Sequence, residues 1–297
     1  MPDDPPPPSC CASEARFGIQ SVEVATRLLG ALLDAGAAQR LTDLARRSGM
    51  PPAKAHRYLV SLTRGGLAMQ EPTTGLYDLG PLALRIGLHG IARFEPMRLA
   101  ERTLADLAEE VGESCALSVW AGRSPAIIRV VEARHSLAGR VPIGHGCPLT
   151  WSATGLVFAA FEAPDRTDAL LREELSQNRR VGRPGAPRDG SALAARLATV
   201  RGAGVGFVDG GEGGAAAVAA PVRDASGALA MVQTVFGHRG RLDVEPAGPL
   251  AGLVLSTATR LSASLSAVAG SAPASRPVAL ATSTRRGRVG RAAADTR

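Results

Sequence analysis

At 297 residues the chain is long for one domain and comfortable for two, and its 45% of apolar residues supplies core enough for both. Aromatic residues make up only 3%, so those cores must be built from Leu, Val, Ile and Ala. The formal charge of +7 points to an anionic partner, while no uninterrupted apolar run approaches the length of a membrane-spanning helix.

The location of the charge limits what it means. Residues 271–297 hold six arginines against one aspartate, so most of the excess belongs to the end of the chain. Residues 16–80 hold eight basic side chains against five acidic ones, which permits DNA binding without establishing it. Lys54 is the single lysine among 34 basic residues, and Ala, Gly and Pro usage is heavy. A GC-rich coding sequence would give that composition, so an arginine cluster carries little weight alone. The cysteines (Cys10, Cys11, Cys115 and Cys147) form no C-x-x-C pair, disulfide framework or zinc-ribbon spacing.

Residues 1–15 are Pro-rich and acidic and read as a disordered leader. They have neither the basic start nor the apolar stretch of a secretory signal, so a cytoplasmic protein is expected. Ser21 is a candidate cap for a helix over 22–35, with Val22, Ala25, Leu28, Leu29, Leu32 and Leu33 as its apolar stripe and Gly36 as its stop. Thr42 is the next candidate cap, for a short helix ending at Ser48-Gly49. Gly49 suits the left-handed conformation that a sharp helix–helix turn needs.

Pro51-Pro52 can open the following helix, because missing N–H groups cost nothing in a first turn. Ala55, Tyr58, Leu59 and Leu62 repeat at helical spacing and should face inward, leaving Ala53, Lys54, His56, Arg57, Val60 and Ser61 outside. Residues 67–69 and 76–79 read as two short strands around the turn Glu71-Pro72-Thr73-Thr74-Gly75. Three helices and a hairpin make a winged helix-turn-helix over 16–80.

Residues 81–96 read as a linker helix. A helix over 97–111 opens the second domain, residues 97–268, with Leu99, Leu104, Leu107 and Ala108 on its apolar side. Strands are expected over 114–120, 126–132, 141–143, 206–209, 217–223 and 228–236. Helices are expected over 152–161, 165–176, 189–201 and 249–267. The mixed order predicts an α+β domain with an antiparallel sheet flanked by helices. Residues 269–297 read as a disordered basic tail.

This order of motifs resembles the IclR-type family of bacterial transcriptional regulators. The resemblance runs from about residue 17 to 267. Its carriers include Leu41-Thr42-Asp43-Leu44-Ala45, His56-Arg57-Tyr58-Leu59, the wing Gly75-Leu76-Tyr77-Asp78-Leu79-Gly80, Ser152-Ala153-Thr154-Gly155, Gly204-Val205-Gly206-Phe207 and Ala219-Ala220-Pro221-Val222-Arg223-Asp224. It implies an α+β chain in which an N-terminal winged helix-turn-helix is joined by a linker helix to a GAF-like α/β domain that binds a small organic-acid effector. It also implies homodimers or homotetramers on double-stranded operator DNA, which for a two-fold assembly is pseudo-palindromic, and control of a catabolic operon.

A recognition helix places its first turns in the major groove, here Ala53, Lys54, His56 and Arg57. Arg57 or Lys54 could donate two hydrogen bonds to a guanine, discriminating by about 1–3 kcal/mol. Thr42, Arg46, Arg47 and Ser61 are placed for phosphates, and Thr73 and Thr74 for the backbone or minor groove at the wing tip. The plainer alternatives are a solvated or ion-paired Arg57 and arginines that reflect composition alone.

The resemblance puts the effector at Trp151, Ala153, Thr154 and Gly155, where a helix N-terminus offers N–H donors, and at the strand positions Asp209, Ala217, Thr234 and Phe236. The family commonly has a cysteine where this chain has Ala217, and Lys or Arg where it has Leu156. Fewer polar handles and an added ring suggest a larger, more apolar acid, such as an aromatic one, although Phe236 could equally be core. No cofactor and no metal is expected. Three rivals stand beside this reading: a regulator with no effector, an enzyme using Cys147 with His145 as base, and a metal site at His135, His145 and Cys147.

Overall fold

The computed structural model describes residues 18–94, 96–133, 141–182, 185–210 and 214–269. The expected leader, most of the expected tail and His135 lie outside the described residues. The chain divides between His89 and Gly90 into two units.

The first unit contains α1 (Gln20–Ala35), α2 (Leu41–Arg47), α3 (Pro52–Arg64) and the hairpin β1 (Ala68–Gln70) and β2 (Tyr77–Leu79). Two expected caps are corrected. α1 begins before Ser21 with Ile19 at its cap, and α2 begins before Thr42 with Arg40 at its cap; neither cap residue makes a side-chain bond. The α1 stripe is also rotated. Val24, Leu28, Ala31 and Leu32 are buried, whereas Val22 and Leu33 are 56% and 51% exposed. The buried set spans i, i+4, i+7 and i+8, a narrower face than the sequence pattern offered.

The turn between α2 and α3 runs as expected. Gly49 sits at φ +64°, where a side chain would be strained, and its N–H donates to the Arg46 carbonyl at 3.2 Å. Pro51 then caps α3 and Pro52 occupies its first turn. Ala55, Leu59 and Leu62 are buried against Leu28, Leu32 and Leu44. Each such leucine contributes about 1.5–3 kcal/mol by leaving water. In the wing, Ala68 pairs with Leu79 and Gln70 with Tyr77. Gln39 exchanges two backbone hydrogen bonds of 2.8 Å with Tyr77, tying the wing to the segment before α2.

α4 (Pro81–Ala92) is shorter than the 81–96 expected, and none of its residues is buried.

The second unit contains α5 (Pro96–Val111), β3 (Ser114–Trp120), β4 (Pro125–Val131), α6 (Ala153–Phe161), α7 (Pro164–Val181), α8 (Gly190–Ala203), β5 (Gly206–Asp209), β6 (Ala215–Arg223), β7 (Leu229–His238) and α9 (Pro249–Ala269). The sheet order is β4-β3-β7-β6-β5, with every neighbouring pair antiparallel. The expected strand at 141–143 is absent: Val141 lies in an irregular segment whose one ladder contact is a bridge from Ala126 to Gly146.

The strands alternate between two buried faces. Cys115, Leu117, Val218, Ala220, Met231 and Val235 pack with α5 and α9. Ala219 and Val232 pack with α6 and α8. On the latter side Ala116 pairs with Thr234, Thr234 with Ala219, and Phe236 with Ala217. That register gathers small and hydroxyl side chains in front of the start of α6.

Candidate DNA-facing helix and effector cavity

α3 has one dry side and one wet side. Ala53, Lys54, His56, Arg57, Val60 and Ser61 are all exposed. Among the described residues the side chains of Lys54, His56 and Arg57 have no hydrogen bond or ion pair, so their donors face outward for an outside partner. The first turn of α3 carries no acidic residue, so the positive end of the helix dipole adds to the attraction for anions there. Ser61 donates to the Arg57 carbonyl at 3.2 Å.

Thr42 and Arg47 are exposed. Arg46 is exposed too but bonds Asp43 within its own helix at 2.8 Å. Such a surface pair is worth about 0.2–1 kcal/mol and exchanges readily for a phosphate. Thr73 and Thr74 sit exposed at the wing tip, where Thr74 Oγ1 accepts from Leu76 N–H at 3.3 Å.

In the second unit a cavity of about 700 Å³ opens in front of α6. Trp151, Ala153, Thr154, Asp209, Ala217, Thr234 and Phe236 all line it, although these residues are far apart in the chain. Gly155 does not. A Cβ there would run into the Pro148 carbonyl, so Gly155 is what lets α6 lie against the preceding loop. Ile127, Val141 and Val208 add apolar wall.

The sequence reading missed two features. Arg196, from α8, also lines the cavity. Its signal was a charged residue at the edge of the buried stripe Leu193, Leu197, Val200. The second is a clamp on the loop that carries Trp151. The Glu174 carboxylate accepts from Leu149 N–H and Thr150 N–H, each at 2.9 Å, and from the Thr150 hydroxyl at 2.8 Å. Asn178 donates to Thr150 Oγ1 at 3.0 Å and to the Pro187 carbonyl at 3.1 Å.

The chemistry of the cavity follows from these groups. Ser152 caps α6, accepting from Gly155 N–H at 2.9 Å. The earlier N–H groups of Ala153 and Thr154 have no acceptor within the helix and are available to a ligand oxygen. The Thr154 and Thr234 hydroxyls bond each other at 2.8 Å. Asp209 is ion-paired with Arg239 at 2.5 Å.

Cys147 also lines the cavity, with the Ser118 and Thr154 hydroxyls as neighbours. Burial pushes its thiol up to about 11, so at neutral pH it holds its proton and is a poor nucleophile. His145 is exposed. Among the described residues no three His, Cys, Asp or Glu side chains group to hold a metal, and no helix is long and apolar enough to cross a membrane.

A winged helix-turn-helix ahead of a hollow, helix-flanked antiparallel sheet is the architecture of a DNA-binding transcriptional regulator. The family model described as "Bacterial transcriptional regulator IclR C-terminal" matches residues 90–263, and the "IclR helix-turn-helix domain" matches residues 21–72. The chain therefore belongs to the IclR family of transcriptional regulators. It is 25% identical over 158 residues to the transcriptional repressor IclR of Escherichia coli, a match covering 52% of this chain and only 58% of the repressor. A crystal structure of Pseudomonas aeruginosa HmgR is 34% identical, covering 84% of this chain and 98% of that one at a TM-score of 0.50. An IclR homologue from Microbacterium hydrocarbonoxydans, solved with 4-hydroxybenzoate, shares the fold at 20% identity and a TM-score of 0.62, covering 83% of this chain and 99% of that one.

Proposed function

We propose that the protein is an operator-binding regulator whose grip on DNA is controlled by a small organic acid held in the α6 cavity. The observation that carries the DNA half is the exposed face of α3, where Lys54, His56 and Arg57 have no partner among the described residues while the opposite side is locked into the core. Arg57 and Lys54 read base edges, Thr42, Arg46, Arg47 and Ser61 fix the register on phosphates, and Thr73 and Thr74 approach the neighbouring groove. The functional unit is a homodimer or homotetramer acting in the cytoplasm on a pseudo-palindromic operator of a catabolic operon.

The cavity favours this over an effector-independent regulator. It is large enough for a ligand of drug-like size, mostly apolar, and carries a few directed donors, the usual make-up of a small-molecule site. Its volume and the Phe236 ring suit an aromatic acid better than a two-carbon one. The Microbacterium homologue, a guide to fold alone at its level of identity, was solved with such an acid. The protonated Cys147 argues against thiol catalysis.

Footprinting on the DNA upstream of the protein's own gene, with and without aromatic acids, tests the reading. We expect a protected, two-fold symmetric site whose occupancy changes with one of the acids. Arg57→Ala should weaken that site by about 1–3 kcal/mol, the value of a bidentate base contact. Normal binding by Arg57→Ala would remove α3 as the reader. Calorimetric preference for glyoxylate-sized over aromatic acids would overturn the effector class.

A further inference from the structure

We propose that Arg196 holds the acid group of the effector and makes the cavity select anions over their neutral isosteres. This rests on the reading of the cavity as an organic-acid site and adds what fixes the charge of the ligand.

Two charged side chains, Asp209 and Arg196, stand in the cavity wall. Asp209 is answered by Arg239. Among the described residues Arg196 is answered by no carboxylate; its one partner there is the Gly185 carbonyl, which accepts from Nη1 at 2.9 Å. A guanidinium has five N–H donors in a planar fork, so Nε and the second amino group remain unused. Arg196 is half-buried, and burial alone lowers its pKa from the ordinary arginine value. A cation taken partly out of water without a counter-charge is unfavourable until an anion joins it.

The other donors make this distinction less sharply, since the α6 dipole supplies only a partial charge. The α6 N–H groups and the Thr154–Thr234 hydroxyls can donate to an amide carbonyl as well as to a carboxylate oxygen, since they carry no formal charge. A full positive charge in a mostly apolar wall favours the ionised ligand alone. Arg196 is also held firmly. Asp189 caps α8, accepting from Ala192 N–H at 2.8 Å, and the flanking Leu193 and Leu197 are buried. The guanidinium is therefore delivered from a pinned helix.

The test uses the full-length protein and matched probes: benzoate, 4-hydroxybenzoate and phenylacetate against the corresponding amides. Binding is read by fluorescence, because Trp151 lines the cavity, and by the rise in melting temperature. The wild type should bind at least one acid more tightly than its amide. In Arg196→Gln that acid should weaken roughly 10- to 100-fold, the equivalent of a charge-assisted hydrogen bond, with the amide changed little. Arg196→Lys, which keeps the charge, should restore part of the preference. Acid affinity unchanged in Arg196→Gln overturns the assignment, as does equal weakening of acid and amide. A wild type that binds acids and amides alike overturns it even if the variants fail to fold. A wild type that binds none of the acids overturns the organic-acid reading and takes the assignment with it.

Discussion

Cys147 shows how far a residue's surroundings can turn its chemistry away from its type. A cysteine two positions from a histidine invites a nucleophile, yet this thiol lies among apolar walls and hydroxyls with its proton held up to about 11; Cys115, on the other face of the sheet, is held up to about 12. Peptide-mapped alkylation at pH 8 should leave Cys115 and Cys147 unmodified in the native protein and label both in denaturant. The shift also fixes a pH dependence. The unfolded thiol ionises near 9.0, the folded Cys147 thiol only near 11. Above pH 9 the unfolded state loses its proton first, so stability is full below 9 and falls as pH rises toward 11, by at most about 2–3 kcal/mol for this group. Cys147→Ala should shed that part of the alkaline loss in denaturant melts across pH 8–11; an unchanged slope would mean that the thiol is not shielded. Ser21 and Thr42 show the opposite limit of residue-level reading. Both are good capping types, but α1 and α2 each start one position or more earlier, because caps without side-chain bonds leave no mark in residue identity.

Elements were legible where one face of a periodic segment had to be dry. α3 and its turn followed from Ala55, Leu59, Leu62, Gly49 and the proline pair, and β5 from 206–209. The segment at 141–143 failed because three apolar residues cannot reveal whether a neighbouring strand exists to pair with them. Arg196 failed for a related reason: which side of α8 faces a cavity is decided by how α8 lies on α6, a tertiary fact. The loop from Pro148 into α6 is the clearest element whose structure depends on a distant side chain. Glu174, on α7, satisfies two of its N–H groups and a hydroxyl, and Gly155 lets the helix sit against it. Glu174→Ala should strand the buried Leu149 and Thr150 donors, costing about 1–3 kcal/mol for each left unsatisfied. In chemical melts the variant should be destabilised on that scale. It should also lose effector affinity, because the loop carries Trp151 into the cavity wall. Wild-type stability would mean that water replaces the carboxylate at no cost.

At the scale of the whole molecule, what is left unsatisfied is α4. It is twelve residues long and none of them is buried. Leu84, Ile86 and Leu88 are 65%, 57% and 58% exposed. An apolar helix with only Ile91 packed against a core leaves most of its apolar side chains in water, and exposed apolar surface of that kind marks association surfaces. The two-fold operator proposed above would add a matching need, since one winged helix-turn-helix reads one half-site and two copies cover both. We therefore expect the protein to self-associate through a surface that includes α4, burying on the order of 1,200–2,000 Å². Light scattering on the purified protein at micromolar concentration should give at least the dimer mass. Ile86→Glu with Leu88→Glu should move the mass toward the monomer while leaving the melting behaviour of the second unit unchanged. The same variant should bind the two-fold site more weakly and lose less affinity on a single half-site, because the coupling between copies is lost while α3 is untouched. A monomeric wild type, or a variant of unaltered mass, would show that α4 is not the seam and that the pairing of the DNA readers must be sought elsewhere in the chain.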